Sequence, residues 1–248
     1  MTALGASSAY SYLLSDVHLM PKAAATAAAF KRFMTEAAPR AEAVYIVGDL
    51  LEVFIGRDGF GAFESDVDAT LQALSQRTPV YWMVGNRDFL WTDAASSGMI
   101  WLDDPTVVER YDQTILLTHG DALCIHDRPY QRLRAVVRNR WIQRLFRHLP
   151  LATRLSLAER ARQGSQAHTQ SQRVEYMDID DAIATQWLQH AGCTTLVHGH
   201  THRAGIRHLD TPQGSLRVVT LGDWHPEGTI ARWDHNGIRL VRTDALSA

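Results

Sequence analysis

The chain has 248 residues, 46% hydrophobic and 21% charged, which suits one sizeable α/β domain and is ordinary for a soluble globular protein. A net charge of −2 excludes a protein that coats nucleic acid indiscriminately, and two cysteines, Cys124 and Cys193, exclude a disulfide framework. No apolar run reaches the roughly 18 residues of a membrane span, and Met1 to Ala9 lacks the pattern of a secretory signal, so a cytosolic or membrane-surface protein is expected.

Tyr10 to Ser15 (YSYLLS) reads as a buried first strand ending at Asp16-Val17-His18. The alanine-rich stretch from Ala23 to Ala38, with Phe30, Phe33 and Met34 at helical spacing, predicts the first helix. Ala43 to Val47 (AVYIV) is a strand that stops at Gly48-Asp49-Leu50-Leu51-Glu52. Phe63 to Gln76 carries a weaker helical pattern, and Pro79 to Val84 is a third strand, ending at Gly85-Asn86-Arg87-Asp88. Thr106 to Arg110 and Thr114 to Thr118 predict a hairpin turning at Tyr111-Asp112-Gln113, whose second strand ends at His119-Gly120-Asp121. A long helical stretch runs from Pro129 to about Gln170 with a break near Pro150, and another helix from Asp178 to His190. Thr194 to Val197 is an apolar strand that opens into His198-Gly199-His200-Thr201-His202. Leu216 to Leu221, Thr229 to Trp233 and Ile238 to Val241 read as strands, with a turn at His235-Asn236-Gly237. Strands alternating with helices, then several strands in a row, predict one layered α/β domain: a two-sheet sandwich flanked by helices, with a helical lid inserted at about residues 126–175.

Five apolar strands thus end in potential ligands: Asp16 and His18, Asp49, Asn86, His119, and His200 with His202. Each motif alone is weak. Jointly, carboxylate, amide oxygen and imidazole are the mixture that holds manganese, iron or zinc where water has access, and no cysteine among them points to a structural zinc. Seven ligands exceed what one ion takes, whereas two ions sharing a carboxylate, about 3.5 to 4 Å apart, would use them all. Such pairs clamp the attacking and leaving oxygens of a phosphoryl displacement, so hydrolysis of a phosphoester or phosphoanhydride is expected. His198, one step deeper on the same face as His200, reads as a buried, hydrogen-bonded histidine; Glu52 and Asp121 read as residues supporting the ligands or the turns.

Taken in order, Asp16-Val17-His18, Gly48 to Glu52, Gly85-Asn86-Arg87-Asp88, His119-Gly120-Asp121 and Gly199-His200-Thr201-His202 resemble the five motifs of the calcineurin-like metallophosphoesterases. Phe54-Ile55-Gly56, Asn86 to Leu90, His119 to Cys124, His198 to Arg203, and Leu221-Gly222 with Trp224-His225 and Glu227-Gly228 extend the resemblance over nearly the whole chain, to a branch acting on a lipid-linked nucleotide. The resemblance implies one ion held by Asp16, His18, Asp49 and His202 and a second by Asp49, Asn86, His119 and His200, with Asp49 bridging and manganese the usual metal. It implies hydrolysis of the pyrophosphate bond of UDP-2,3-diacylglucosamine to 2,3-diacylglucosamine 1-phosphate and UMP, in lipid A biosynthesis. Metal-activated water would attack the α phosphorus while Asn86, Arg87 and His200 hold phosphate oxygens. Many of these enzymes have a histidine where this chain has Arg87. Arginine cannot deliver a proton near neutral pH but binds phosphate oxygens, which suits a leaving group that is already an acidic phosphate. The alternative for Arg87 is a structural ion pair with Asp88.

Eleven arginines lie between Asp127 and Glu175 against three carboxylates. Among them run Val136, Val137, Trp141, Ile142, Leu145, Phe146, Leu149, Leu151, Leu155 and Leu157. These read either as amphipathic helices packed on the domain with solvated arginines outside, or as an apolar pocket for acyl chains with arginines facing a diphosphate. Aligned on Met177-Asp178, the resemblance implies substrate contacts from Asp127, Arg162 and Ser165. It continues to Thr169 and Gln172, where an asparagine and a lysine are usual, and Arg173 could replace the missing charge. The setting it implies is peripheral, on the cytoplasmic face of the inner membrane, with a lipid-nucleotide substrate and no nucleic acid or obligate protein partner. Other readings are a soluble phosphodiesterase or nucleotide pyrophosphatase without lipid preference, a noncatalytic metal-binding scaffold, and a nuclease. Against the nuclease, Trp141 and Phe146 lie at core-like spacing rather than as a stacking stripe.

Overall fold

The computed structural model describes residues 9–171 and 178–246, with the side chains of 165–171 outside that description. Strands β1 (Tyr10–Leu14), β2 (Ala43–Val47), β3 (Val80–Met83) and β4 (Ile100–Trp101) pair in parallel. The antiparallel strands β10 (Thr229–Asp234) and β11 (Gly237–Arg242) continue that sheet, giving the order β11-β10-β1-β2-β3-β4. The second sheet contains β5 (Thr106–Arg110), β6 (Gln113–Thr118), β7 (Thr195–His198), β8 (Gly205–Thr211) and β9 (Gly214–Thr220), in the order β5-β6-β7-β9-β8. Its central strands β6, β7 and β9 are parallel.

Period-two alternation sends each buried strand's side chains to two different layers. Leu13, Tyr45, Val47 and Met83 meet Ile115, Leu117, Val197 and Val219 between the sheets. On the outer face of the first sheet, Leu14, Val44, Ile46 and Trp82 pack with Phe30, Leu71 and Leu74 from α1 (Ala24–Arg32) and α2 (Ala62–Ser75). Beyond the second sheet, Leu116, Leu196 and Val218 pack on Ala184 and Leu188 of α6 (Asp181–Ala191). Continuous runs such as AVYIV therefore mark strands covered on both faces, each buried aliphatic side chain contributing about 1.5 to 3 kcal/mol. The fold is the α/β two-sheet sandwich flanked by helices that the sequence predicts.

Between β6 and β7 the chain inserts α3 (Arg128–Val137), α4 (Arg140–Arg147) and α5 (Leu151–Ser171). The predicted break at Pro150 is present, and a second one separates α3 from α4. There Asn139 Oδ1 accepts from Trp141 N at 2.9 Å, so the side chain caps a new helix. Helix α6 begins at Asp181 rather than Asp178, because Asp180 Oδ1 accepts from Ile183 N at 2.9 Å and acts as its N-cap. Two strands escape the sequence reading. β4 has only two residues, and β8 is an edge strand whose half-exposed alternation carries little apolar signal. No helix among the described residues is long and apolar enough to cross a membrane.

Candidate metal centre

The carboxyl ends of β1, β2 and β3 in one sheet and of β6 and β7 in the other open toward a common point, where parallel α/β sheets keep their ligands. The loops after β1 and β2 run side by side, Asp16 N donating to Gly48 O at 3.1 Å and His18 N to Asp49 O at 3.0 Å. Asp16, His18, Asp49, His200 and His202 all have φ between 51° and 67°, the left-handed region that non-glycine residues enter at a cost of about 1 to 3 kcal/mol each. The sandwich holds these five side chains in place against that cost. Glycines clear the approach: a Cβ on Gly85 would stand 2.0 Å from Asp49 Oδ1, and one on Gly199 2.4 Å from Asp16 Oδ2.

Two donor groups result, and they meet at Asp49. In the first, His18 Nε2 and His202 Nε2 are 3.2 Å apart and lie 3.9 and 3.4 Å from Asp16 Oδ1, while Asp49 Oδ2 is 3.9 Å from His18 Nε2. In the second, Asn86 Oδ1 lies 3.0 Å from His119 Nε2 and 2.8 Å from His200 Nδ1, with Asp49 Oδ1 at 3.7 Å from His119 Nε2. Donors bound about 2.1 Å from an ion stand roughly 3.0 to 3.4 Å apart at octahedral or tetrahedral angles and up to about 4.2 Å when trans, so spacings of this order suit an ion in each group. Asp16 is wholly buried, yet its Oδ1 has no hydrogen-bond partner among the described residues. A buried carboxylate oxygen left this way asks for a cation. The residues therefore fit divalent metal, and the structure brings all seven expected ligands together.

The outward nitrogens of three of the rings lie close to oxygens. His18 Nδ1 is 2.9 Å from Glu52 Oε2, His119 Nδ1 donates to Val47 O at 3.0 Å, and His202 Nδ1 is 3.4 Å from Asp223 Oδ2. Each of these three rings thus turns Nε2 inward. Burial works against charging His119, but Asp49, Asp16 and Asp121 outweigh it and push its pKa up to about 9. His202 behaves likewise: burial is outweighed by Asp16 and Asp223, giving about 10. Burial, with His119 beside it, instead drives His200 down to about 4. Burial would raise the Asp16 carboxyl, but His202 and its neighbouring imidazoles hold it below the ordinary carboxylate range.

In the metal-free protein the protons on His119 and His202 stabilise the fold fully below the unfolded pKa near 6.5, and that contribution is lost as pH rises through about 9 and 10. Metals must displace the same protons. Loading at pH 7.5 is therefore expected to release one to two protons per chain, read by calorimetry in buffers of different ionisation enthalpy. Heats that do not depend on the buffer would contradict this protonation state.

Asp88 does not pair with Arg87. It is wholly buried and accepts from the backbone N–H groups of Gly85 at 2.8 Å, Leu50 at 2.8 Å, Asp49 at 3.3 Å and Leu51 at 3.4 Å, stitching the β2 and β3 loops together. Arg87 instead lines a cavity of about 350 Å³ beside Asn86, and its Nε is buried without a hydrogen-bond partner among the described residues. His198 is buried as expected, with Nδ1 2.8 Å from Gly199 O and Nε2 2.9 Å from Thr220 Oγ1. Asp121 is buried, accepting from Tyr130 Oη at 2.7 Å and Arg134 Nε at 2.8 Å, and Arg138 donates to Gly85 O at 2.9 Å. Helix α3 is thereby fastened to the loops that carry His119 and Asn86.

The same cavity has an apolar lining that includes Phe54, Phe89, Val137, Ile142, Phe146 and Leu157, and Arg162 lies on its wall. Asp127 caps α3, its Oδ1 accepting from Tyr130 N at 3.0 Å, and is not among the residues lining the cavity. The side chains of Ser165 and Thr169, and all of Gln172 and Arg173, lie outside the described residues. Trp141, expected at a core-like position, is 78% exposed and Leu145 69%. Apolar periodicity shows that residues share a helix face, not that anything covers it. Asp223 was not anticipated, although Leu221-Gly222-Asp223 follows β9 as Val47-Gly48-Asp49 follows from β2, another strand ending in glycine and a carboxylate.

The model of the calcineurin-like phosphoesterase family matches residues 12–204, and the chain belongs to that family. Within it, the chain is 41% identical over 240 residues to the UDP-2,3-diacylglucosamine hydrolase of Edwardsiella ictaluri (strain 93-146), covering 95% of this chain and 92% of that one. It is 40% identical over 229 residues to that of Pseudomonas aeruginosa (strain UCBPP-PA14), covering 91% of this chain and 95% of that one. To that of Coxiella burnetii (strain RSA 331 / Henzerling II) it is 35% identical over 230 residues, with 92% and 95% covered.

Proposed function

We propose that the chain is a UDP-2,3-diacylglucosamine hydrolase of lipid A biosynthesis, splitting the pyrophosphate bond to give UMP and 2,3-diacylglucosamine 1-phosphate. The observation that carries this reading is the cavity: Asn86, Arg87 and Arg162 share its wall with a wide apolar surface under the inserted helices, so one compartment suits both a diphosphate and acyl chains. Near-full-length identity to curated hydrolases supports the same substrate. Asp16, His18, Asp49 and His202 would hold one divalent ion and Asp49, Asn86, His119 and His200 the other; the mixture of carboxylate, amide and imidazole donors suits manganese, iron or zinc, and the family resemblance implies manganese. Bound there, such ions lower the pKa of water to supply a nucleophile at neutral pH and draw charge from phosphoryl oxygens.

The chain's own groups orient the substrate so that water reaches the α phosphorus. Arg87 binds the phosphate oxygens through its fork and holds its proton throughout. His200, held near pKa 4, is neutral at pH 7 and acts as a positioned ring rather than as an acid. Neither supplies a proton to the departing group, and a sugar phosphate needs none. The inserted helices act as a lid over the acyl chains, and exposed Trp141 and Leu145 beside Arg140 and Arg144 favour peripheral docking on a membrane.

Placing a charge in the apolar wall separates this reading from a soluble phosphodiesterase. Val137→Glu is expected to lower kcat/KM on UDP-2,3-diacylglucosamine about 100-fold, ~2.7 kcal/mol, and to leave manganese-dependent cleavage of bis(p-nitrophenyl) phosphate within about twofold. Equal losses on the two substrates, or wild-type efficiencies that are comparable, would defeat the lipid assignment.

A further inference from the structure

Helix α4 separates two spaces. Ile142 and Phe146 line the substrate cavity, Trp141 and Leu145 stand bare, and Arg140, Arg144 and Arg147, at i, i+4 and i+7, share another face that borders a cleft of about 670 Å³. Thr92, Trp101 and Asp103 also line that cleft, and Gln143 borders both spaces. Such a row of arginines is unfavourable in the empty protein. Like charges one turn apart destabilise a helix, and Arg140 stands in the first turn, where the helix dipole disfavours a cation. Nothing compensates within the fold: Arg140 and Arg144 make no ion pair among the described residues, and Asp103, the carboxylate of the cleft, accepts instead from Trp101 Nε1 at 3.0 Å. Arg147 Nη2 donates to Leu90 O and to Thr92 Oγ1, both at 2.9 Å and both neutral, so its guanidinium is fixed in place with its charge unopposed. Trp101, on the edge strand β4, keeps 38% of its surface exposed.

We propose that this cleft is a second phosphate-binding site, separate from the metal centre, which takes the phosphoryl group of a phosphoester against Arg140, Arg144 and Arg147 and lays the ester's apolar part along the indole of Trp101. Three guanidinium groups against one carboxylate leave two positive charges, which match a phosphate dianion better than a lone carboxylate. Guanidinium forks hold phosphate oxygens in pairs, and an exposed indole offers a flat apolar surface beside them. Soluble phosphoesters and the headgroups of anionic phospholipids both carry this chemistry, and bare Trp141 and Leu145 on the same helix suit the second source. The site uses no step of the hydrolysis; it adds a recognised chemical group to the membrane docking proposed above.

The test reads binding and does not depend on turnover. Protein stripped of metal by a chelator is titrated with phenyl phosphate by calorimetry at fixed ionic strength. The wild type is expected to take up one equivalent that persists in Arg87→Ala, and replacing Arg140 and Arg144 together by alanine is expected to weaken it about 10- to 100-fold. Trp101→Ala should weaken phenyl phosphate more than glycerol 3-phosphate. Arg144→Glu should abolish the equivalent with Tm unchanged or raised, because it turns a repulsive pair with Arg140 into an attractive one. An equivalent untouched by the arginine substitutions, benzoate bound as tightly as phenyl phosphate, or binding lost only along with Tm would each overturn the site. A second arm identifies the source by sedimenting the protein with phosphatidylcholine vesicles that carry phosphatidic acid. Release of the protein by added phenyl phosphate assigns the cleft to a lipid headgroup, and uptake of phenyl phosphate by vesicle-bound protein assigns it to a soluble ester. Arginine-dependent phosphate binding in a protein that does not cleave the lipid nucleotide would sink the substrate assignment and leave the cleft standing. Cleavage of the lipid nucleotide by a protein without such binding would do the reverse.

Discussion

Asp49→Ala is expected to lower kcat/KM on UDP-2,3-diacylglucosamine by at least about a thousandfold, ~4 kcal/mol of transition-state stabilisation. The size of the effect follows from the position of one carboxylate. Asp49 reaches toward His18 with Oδ2 and toward His119 with Oδ1, so its two oxygens are placed to serve both donor sets. Removing it takes one anionic ligand from each ion at once, whereas His202→Ala or Asn86→Ala takes a ligand from one. The expected companion result is loss of manganese binding with the fold retained, checked by metal titration and circular dichroism. Turnover within tenfold of the wild type would mean that no bridged pair operates here.

The second large effect falls on stability. Asp88→Ala leaves four buried N–H groups, those of Asp49, Leu50, Leu51 and Gly85, without the carboxylate that now accepts from them. Unsatisfied buried donors cost about 1 to 3 kcal/mol each, partly recovered by relaxation, so the variant is expected to lose roughly 3 to 5 kcal/mol. For a chain of this size that lowers Tm by roughly 10 °C in a thermal melt. Asp88→Asn, which keeps one acceptor oxygen, should fall between the variant and the wild type. Burial, and then the charge of Asp49, push the Asp88 carboxyl up to about 7, so cations beside Asp49 should favour its ionised form along with the amides. A melt of Asp88→Ala unchanged within about 2 °C would show that the β2 and β3 loops are held by other means.

The sandwich was legible because its strands are covered on both faces and so appear as unbroken apolar runs, each ending where the chain must turn. The side chains gathered at the centre were legible for the same reason: Asp16, Asp49, Asn86, His119 and His200 sit within two or three residues of such a run. Residues that act across the fold were less so. Asp88 works through backbone amides 3 to 39 positions away, and Asp223 backs His202 from the end of a different strand. Spacing cannot show either partnership. The exposure of Trp141 and the cap at Asn139 depend on what the inserted helices pack against, which periodicity leaves open. Five left-handed non-glycine residues at the centre are likewise set by tertiary packing, since local preference runs against them.

Hydrolysis of UDP-2,3-diacylglucosamine in ¹⁸O-enriched water, with purified protein and manganese, bears most directly on the chemistry assigned to this centre. The expected product is UMP carrying one ¹⁸O atom on its phosphate by mass spectrometry, with unlabelled 2,3-diacylglucosamine 1-phosphate and no turnover after metal removal. Label in the sugar phosphate, or no UMP at all from a manganese-loaded protein, would contradict it.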